Sequence, residues 1–592
     1  MSIKERVNSL REKMKEKGIY AYIVPSSDAH QSEYVAEHWK SRQWISGFTG
    51  SAGTAVITLD DAGLWADGRY FIQAEKQLEG SGIKLFKMGQ PSVPTIEAWL
   101  SKVVPQNGVV GFDGSVLSTS LARNIEKAVS RKGTTLEHRY DLIDELWKDR
   151  PSISTEPIFV HDVRYAGKSR VEKVSMVREE MKKDEATHLV LSSLDDIAWL
   201  LNIRGTDVPC NPVAVSYVVV SEKETVLFIN PVKVKDEVKK ELEQDGIVIK
   251  AYEDVNEYLK TLAKESKVML DPVKTSFGIC KGLNEGIEII EKDNITTKIK
   301  GIKNEVEIEN IKNAHIKDGV AMVKFLHWLD NNLGKEEISE VSAADKLEGF
   351  RAEQELYKGI SFTTIAGYKE HAAMMHYAAT PESDYKLKKE GMFLLDSGGQ
   401  YLDGTTDITR TMVLGALTEE EKRDFTLVVK GVIDLSMARF LYGVNGTNLD
   451  ILARRPLWEH GIDYKCGTGH GVGFFLNVHE GPHAIRCNVV PTVLEEGMIV
   501  TNEPGVYKEG RHGIRTENIL LVVKDGETEF GQFMKFETIS FCPIDLKGIV
   551  PEMLTPEEKA WLNNYHKEVY SKLSSYLSED EKEWLKHETR EI

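Results

Sequence analysis

Two segments in the last third of the chain repeat one pattern, and this repeat constrains the fold more than any other feature. Each segment runs from a short apolar stretch to an acid, a glycine turn, a tyrosine, another glycine and a second acid that opens a strand-like run. The acids are Asp396 and Asp407 in the first segment and Glu503 and Glu517 in the second. A hairpin brings the two acids of each segment together. Two such hairpins related by a pseudo-twofold axis would place four carboxylates around one centre.

Carboxylates are ordinarily solvated or ion-paired, and each of these acids taken singly fits that interpretation. The repetition of the whole pattern favours a shared site instead, and four like charges at one place require cations. Between the segments, the sequence GTGHGVG at 467–473 surrounds His470 with glycines that let the backbone approach closely. We reject a phosphate-binding loop, because a dinucleotide motif needs a preceding strand and a later ribose acid, and a P-loop needs Gly-Lys-Ser/Thr.

The charge of this residue set indicates how many cations it holds. Four carboxylates and one imidazole carry a formal charge of −4, which two divalent cations neutralise, with a bridging hydroxide as the remaining anion. An oxygen-rich set with one nitrogen suits Mn2+ and accepts Zn2+, Co2+ or Fe2+, and the set contains no thiolate that would select zinc. We therefore predict a dinuclear metal site with Mn2+ as the preferred ion.

Two further histidines, His376 and His479, have apolar neighbours and lie beside glycine-rich turns. Such positions fit residues that line a site and donate to a developing oxyanion. On residue type alone, a core histidine bonded to the backbone is an equally good interpretation. We predict that His371, His483 and His512 are loop histidines.

The size and charge of the chain limit its class. A chain of 592 residues exceeds the ~250–300 residues at which single cores stop growing, so at least two domains are expected. The net charge of −18 repels phosphate backbones and argues against nucleic acid as a partner. The N-terminal stretch reads as a charged amphipathic helix without the apolar core of a secretory signal. No stretch approaches the length of a membrane span.

The five cysteines are scattered without CxxC spacing, which fits neither a disulfide framework nor a structural zinc site. They are Cys210, Cys280, Cys466, Cys487 and Cys542. A reducing compartment fits this usage, and we predict that the protein is cytoplasmic.

The order of landmarks predicts three domains, at 1–155, 156–300 and 301–592. The first two share a charged helix, an apolar run, a serine pair, a tryptophan and then glycine loops. We interpret this order as a duplicated α/β domain, although any two α/β units could share it. The third domain begins where Asn304 can cap a long helix. Near its end, a capping box at Thr555 opens an apolar helix that we expect to pack on its own domain.

The motifs of the third domain resemble those of the pita-bread metallopeptidases. Nearly the whole chain is similar to the Xaa-Pro aminopeptidases (aminopeptidase P) of the cytosolic three-domain type. The stretches that carry the resemblance are DSGGQYLDGTTDITRT at 396–411, GTGHGVG at 467–473, FLNVHEGP at 475–482, EPG at 503–505, IRTEN at 514–518 and WISGFTGSAG at 44–53. The resemblance implies two related N-terminal α/β domains with the creatinase-like N-terminal fold. A pita-bread catalytic domain with a C-terminal helical extension would follow them.

The resemblance also implies an activity and roles for individual residues. The activity is release of the first residue from peptides with proline at the second position, by a hydroxide that bridges two metal ions. The implied metal ligands are Asp396, Asp407, His470, Glu503 and Glu517, of which Asp407 and Glu517 would bridge both ions. Glu503 would be the acid/base partner, and His376 and His479 would bind the substrate carbonyl and the tetrahedral intermediate. Arg515 would anchor the wall of the proline pocket, and the protein would be a homodimer.

One position departs from the family. Relatives commonly carry a second histidine four residues before the metal histidine, and here that position is Cys466. The five metal ligands are untouched, but the polarity of the proline-side pocket is altered. Cys466 is either a buried small residue or a reactive thiol, and in either case we expect it to line the substrate site.

Three alternatives remain beside the aminopeptidase. Prolidase shares the metal set but cleaves only dipeptides, and the extra N-terminal domain argues against it. Creatinase-like hydrolases share the fold without metals, which a complete ligand set disfavours. Pita-bread domains also serve as non-catalytic binding modules, but those typically lose ligands and gain charged tails.

Overall fold

The computed structural model describes all 592 residues. The chain forms two compact units, one of residues 1–162 and 168–297 and the other of residues 163–167 and 298–592. The predicted boundary at 155 does not separate two compact units, so the three-domain division stays a prediction. None of the helices combines the length and apolar character that a bilayer crossing requires.

The first unit begins with a six-stranded sheet. Its elements are α1 Ile3–Glu16, β1 Ala21–Pro25, α2 Ser41–Ser46, β2 Thr54–Thr58, β3 Ala62–Ala66, α3 Phe71–Leu78, β4 Lys84–Lys87, α4 Ile96–Val103, β5 Val109–Phe112, α5 Thr119–Val129 and β6 Thr135–Glu137. The strand order is β4-β3-β2-β1-β5-β6. The central strand β1 pairs antiparallel with β2 and parallel with β5.

A second six-stranded sheet follows in the same unit, together with a short pair of strands, β7 and β9. The elements of this stretch are β7 Phe159–Val160, α6 Val163–Ala166 (which belongs to the second unit), α7 Arg170–Lys183, β8 His188–Leu191, α8 Leu194–Leu201, β9 Ile203–Arg204, β10 Ser216–Ser221, β11 Thr225–Ile229, α9 Asp236–Gln244, β12 Ile247–Lys250, α10 Val255–Lys260, β13 Lys267–Leu270, α11 Phe277–Gly282, β14 Glu288–Glu291 and α12 Ile295–Gly301.

The second sheet repeats the topology of the first. Its order is β12-β11-β10-β8-β13-β14, and the central strand β8 again has one antiparallel and one parallel neighbour. The outer pairs are parallel in both sheets. This agreement confirms the prediction of a duplicated α/β fold.

The second unit carries the acidic segments. Its elements are α13 Glu305–Asn332, α14 Glu340–Ala352, β15 Tyr357–Ile360, β16 Ile365–Tyr368, β17 Met392–Ser397, β18 Gly399–Tyr401, β19 Gly404–Thr405, β20 Ile408–Val413, α15 Glu419–Ser436, β21 Arg439–Leu441, α16 Gly446–Trp458, β22 Gly469–Gly471, β23 Glu480–Ile485, β24 Ile499–Asn502, β25 Gly505–Lys508, β26 His512–Arg515, β27 Asn518–Thr528, β28 Gly531–Thr538, α17 Pro556–Leu573 and α18 Glu579–Glu588.

Two of its helices begin where the sequence predicts. Asn304 caps α13 in a capping box with Glu307, and Thr555 caps α17 in the same way. Each box satisfies backbone N–H groups that the first turn of a helix leaves unpaired. Leu562, Val569 and other apolar residues of α17 pack into the core that also contains Phe425 of α15. The C-terminal helix therefore packs on its own unit, as expected.

Candidate metal centre

The first pair of acids lies on two adjacent antiparallel strands. Asp396 is in β17, directly opposite Thr409 of β20. Asp407 lies immediately before β20, and β18 with β19 forms the connection between the two strands. The side chains of Asp396 and Asp407 are both buried. The predicted hairpin therefore exists, with a second small hairpin at its tip.

The second pair of acids has the same topology. β24 pairs antiparallel with β27, with Asn502 opposite Asn518, and β25 with β26 forms the hairpin between them. Glu503 follows β24 and Glu517 precedes β27.

Thr409 joins the two strand pairs. Its hydroxyl donates to Glu517 Oε2 at 2.8 Å, and its carbonyl accepts the Glu517 N–H at 3.1 Å. The carboxylates of both pairs are thus held at one centre.

His470 lies in β22, which pairs with β24 in the sheet that also contains β27. Its Nε2 is 3.5 Å from Asp407 Oδ2 and 3.4 Å from Glu503 Oε1. Its Nδ1 donates to the Gly471 carbonyl at 2.8 Å, which leaves Nε2 free to ligate a metal. Ligand atoms of Asp407, His470 and Glu517 all lie within 4.8 Å of one another.

The glycines beside His470 are required by close backbone contact. A Cβ atom at Gly469 would lie 1.9 Å from the Thr501 carbonyl oxygen, and one at Gly471 would lie 2.4 Å from the Glu480 carbonyl oxygen. Real Cβ atoms do not approach this closely. The glycines of the GTGHGVG motif therefore bring the His470 strand against its neighbours.

The centre disfavours negative charge in the absence of a cation. Burial raises the pKa of Glu517 well above 4.5, and the charges of Asp407, Asp396 and Glu503 raise it further. Burial also raises the pKa of Glu503, although the charges of His470 and Arg515 oppose this shift. Burial raises the pKa of Asp396 as well, and there Arg515 opposes the shift. Burial alone would lower the pKa of His470, but Asp407 and Glu503 outweigh it and raise that pKa to about 9.

These residues fit divalent cations. Asp396 Oδ1 is buried and has no hydrogen-bond partner, which is costly unless a cation binds it. The donor set is four carboxylates and one imidazole, of the kind that Mn2+, Zn2+, Co2+ and Fe2+ accept. Two ions balance the charge of this set.

Arg515 is the cation that the chain itself supplies to the centre. Its Nη2 donates to Asp396 Oδ2 at 2.5 Å and to the Met375 carbonyl at 3.3 Å, and its Nη1 donates to Tyr507 Oη at 2.6 Å. Arg515 is almost fully buried. The acidic partner of this arginine is therefore the predicted metal ligand Asp396.

His479 and His376, the two candidates for oxyanion binding, have different surroundings. The ring of His479 packs edge-on against His470, with 4.3 Å between the ring centroids. His376 follows Met375, whose carbonyl accepts from Arg515. Both histidines are partly exposed, as residues that line a site must be.

The prediction of three loop histidines is wrong for two of them. His483 lies in β23 and His512 in β26, and both are buried. His483 donates to the Ile499 carbonyl at 2.7 Å, and burial lowers its pKa to about 4. His512 lies 2.9 Å from Asp424 Oδ2. The partners of His483 and His512 are 16 and 88 positions away in the sequence, so the local sequence did not predict that these histidines are buried. His371 lies in the 3-10 helix Lys369–Ala373.

Cys466 is partly buried and, like Tyr507, packs against the apolar cluster of the second unit that contains Phe425. Burial and the charge of Glu503 raise the pKa of its thiol to about 12. At neutral pH the side chain is therefore a neutral thiol, which favours the small-residue interpretation over the reactive one. None of the five cysteines forms a disulfide.

Two threonines that support the ligands were not predicted. Thr409 donates to Glu517, as described above. Thr501 donates to Glu503 Oε1 at 3.1 Å and accepts the His470 N–H at 3.0 Å. Each threonine lies two positions from an acid on the same chain segment, and this spacing is the signal that could have revealed them.

Comparisons with known proteins agree with this description. Residues 6–146 and 149–307 match creatinase/prolidase N-terminal domains, residues 309–524 match metallopeptidase family M24, and residues 532–592 match the C-terminal region of peptidase M24. A protein of Laccaria bicolor named "Probable Xaa-Pro aminopeptidase P" is 42% identical over 99% of this chain and 93% of its own. "Xaa-Pro aminopeptidase 1" of Dictyostelium discoideum is 41% identical over 100% of this chain and 97% of its own.

A solved structure covers the whole chain. The X-prolyl aminopeptidase of Caenorhabditis elegans, described as a cytosolic enzyme with a di-nuclear active site, matches with a TM-score of 0.96 at 35% identity over 100% of both chains. The Xaa-Pro dipeptidase of Bacillus anthracis matches 64% of this chain and 100% of its own with a TM-score of 0.51 at 24% identity, which shows a shared fold only. The chain belongs to the Xaa-Pro aminopeptidases of metallopeptidase family M24.

Proposed function

We propose that this protein is a metal-dependent aminopeptidase that releases the first residue from peptides with proline at the second position. The observation that carries this proposal is the convergence of the two strand pairs and His470 on one centre, in a chain similar over its full length to Xaa-Pro aminopeptidases. Prolidase-type cleavage of dipeptides is the alternative. The similarity of the complete chain, including both N-terminal sheets, to aminopeptidases favours the first activity.

The proposed metal ligands are Asp396, Asp407, His470, Glu503 and Glu517. Asp407 and Glu517, which lie within reach of each other and of His470, would bridge two ions, with Mn2+ as the preferred metal. When bound, the ions supply Lewis acidity and make a water molecule a better nucleophile.

The remaining residues bind, orient and transfer protons. Glu503, whose pKa burial raises, would accept a proton from the attacking water and deliver it to the proline nitrogen as the peptide bond breaks. His479 and His376 would donate to the carbonyl oxygen where negative charge develops. Arg515 would hold Asp396 in place and, with Cys466, would form the wall of the proline-side pocket.

Three further properties are proposed with the activity. The division into domains 1–155, 156–300 and 301–592 is supported by the two creatinase/prolidase N-terminal matches and the M24 match. A cytoplasmic location is supported by the five cysteines, none of which forms a disulfide, and by the similar Caenorhabditis elegans protein, which is described as a cytosolic enzyme. Peptides are the proposed partners, and the net charge of −18 argues against nucleic acid.

We also propose a homodimer that forms through the third domain. Ile451 and Trp458 are 41% and 47% exposed and lie about two turns apart on α16. Large apolar side chains in such positions favour a protein interface. Sedimentation velocity is expected to give twice the chain mass of 66.7 kDa, and a monomer would contradict this proposal.

The decisive experiment compares two substrates. Metal-stripped protein is assayed on Arg-Pro-Pro and on Gly-Pro, alone and with Mn2+, Zn2+, Co2+ or Fe2+. We expect release of arginine that depends on metal, fastest with Mn2+, and little cleavage of Gly-Pro. Preference for Gly-Pro would indicate a prolidase, and inactivity on both peptides with every metal would favour a non-catalytic module.

A further inference from the structure

A buried carboxylate outside the metal centre holds the loop that carries His376. Glu340 is the first residue of α14, and its side chain is fully buried. The N–H of Tyr368 donates to Oε1 at 2.7 Å, and the N–H of Tyr385 donates to Oε2 at 2.9 Å. The Tyr377 hydroxyl donates to Oε2 at 3.0 Å, and His371 Nδ1 lies 2.9 Å from Oε1. One carboxylate thus contacts both ends and the middle of the segment 368–385.

The neighbours of these groups leave little freedom. His371 stacks on Tyr385 with 3.7 Å between ring centroids, and its ring also packs 4.4 Å from that of Tyr377. Ser383 Oγ lies 3.0 Å from the Tyr377 hydroxyl. A buried carboxylate is costly unless it accepts several hydrogen bonds, and here the segment supplies them. The negative charge at the first position of α14 is also favoured by the helix dipole.

In sequence, His376 lies between a residue that contacts this cluster and a residue that contacts Arg515. The residue after it, Tyr377, is bonded to Glu340. The residue before it, Met375, gives its carbonyl to Arg515, and the same Arg515 nitrogen donates to Asp396. Both neighbours of His376 are therefore held in place, Met375 by Arg515 and Tyr377 by Glu340. Loss of either contact frees the His376 backbone on that side.

We propose that Glu340 is a positioning residue that sets the placement of His376 relative to the metal centre. This inference rests on the proposed aminopeptidase function, because His376 is assigned there to the carbonyl oxygen. The hydrogen bonds of the Glu340 carboxylate all go to residues of the loop 368–385, so its effect on the reaction passes through this loop.

The test is a double-mutant cycle on the full-length, Mn2+-loaded enzyme with Arg-Pro-Pro as substrate. Glu340→Gln keeps the shape of the side chain but removes its charge, and we expect kcat to fall roughly 10- to 100-fold. KM and the manganese content are expected to stay within about twofold. Tyr377→Phe removes the hydroxyl that contacts Glu340 and Ser383 but leaves the other three contacts of the Glu340 carboxylate in place, and a smaller loss of kcat is expected.

Each variant is repeated in a His376→Ala background. If Glu340 acts through His376, Glu340→Gln causes no further loss there. A merely structural role would cost the same factor in both backgrounds, and that result would overturn the inference. The matched control is Glu370→Gln, which removes a carboxylate of the same loop that accepts only from the Tyr385 hydroxyl. It is expected to leave kcat unchanged.

Hydrogen exchange separates the two ways in which the experiment can fail. In Glu340→Gln, the amides of 368–385 are expected to exchange faster than in the unaltered protein, while those of β17 and β20 do not. Unchanged exchange in an active enzyme overturns the inference alone. An unaltered protein that cleaves neither Arg-Pro-Pro nor Gly-Pro overturns the proposed function and, with it, the catalytic part of the inference.

Discussion

Replacing Glu517 by glutamine is expected to lower kcat/KM for Arg-Pro-Pro by roughly a thousandfold or more, because metal ions contribute several kcal/mol of transition-state stabilisation. Glu517 is the most enclosed of the four acids, at 1% exposure, and its carboxylate lies within 4.8 Å of atoms of two other proposed ligands, Asp407 and His470. An amide keeps the hydrogen bond from Thr409 but supplies one neutral oxygen to the metal. We expect the variant to retain fewer than two Mn2+ per chain.

Steady-state kinetics at saturating Mn2+ and metal analysis by mass spectrometry measure these effects. Glu509→Gln is the matched control, because Glu509 is an exposed acid at the turn between β25 and β26. It is expected to behave like the unaltered enzyme in both measurements. Full activity of Glu517→Gln with two bound Mn2+ would exclude Glu517 from the ligand set.

The repeated segments made much of this centre predictable. A strand that ends in an acid, followed by turn residues and a second acid, predicts a strand pair from local pattern alone. β17 with β20 and β24 with β27 form in this way, and Asp396, Asp407, Glu503 and Glu517 converge. The small hairpins β18–β19 and β25–β26 at the tips of the two strand pairs were not predicted. The glycines and the tyrosine that each repeated segment carries between its two acids lie in these hairpins. The hairpins are short, and short strands give weak periodic signals.

The supporting groups were not predictable because their partners are distant in sequence. Asp424 of α15 binds His512 of β26 across 88 positions of the chain. Glu340 meets Tyr377 across 37 positions, and nothing in the local sequence of α14 distinguishes it from a solvated acid. Burial of such groups depends on how helices and sheets pack together, which a single sequence does not encode in any short pattern. Local chemistry predicts the ligands, whereas tertiary packing decides which groups support them.

Removing the metal is expected to abolish hydrolysis and to destabilise the second unit in a way that grows with pH. In the metal-free protein the pKa values of Glu517, Glu503 and Asp396 are raised, and that of His470 is raised from 6.5 to about 9. Each group binds its proton more tightly when folded than when unfolded. The stability that this supplies is fully present below the unfolded pKa values, near 4 for the acids and 6.5 for His470. This stability is lost as pH rises through the pKa values of the folded protein. All four shifts therefore make the metal-free protein less stable at higher pH.

Manganese opposes this loss, because binding requires deprotonated ligands and occurs only in the folded state. At a free Mn2+ concentration of 100 times Kd, the stabilisation is about 2.7 kcal/mol. Differential scanning calorimetry is expected to show a Tm gap of roughly 5 °C between loaded and stripped protein near pH 8. The gap is expected to narrow as pH falls toward 5. Metal-free Glu517→Gln lacks one of the repelling charges, so near pH 8 it is expected to melt above the metal-free unaltered protein. A gap that is independent of pH, or a lower Tm for that variant, would show that the buried carboxylates do not repel one another in the metal-free state.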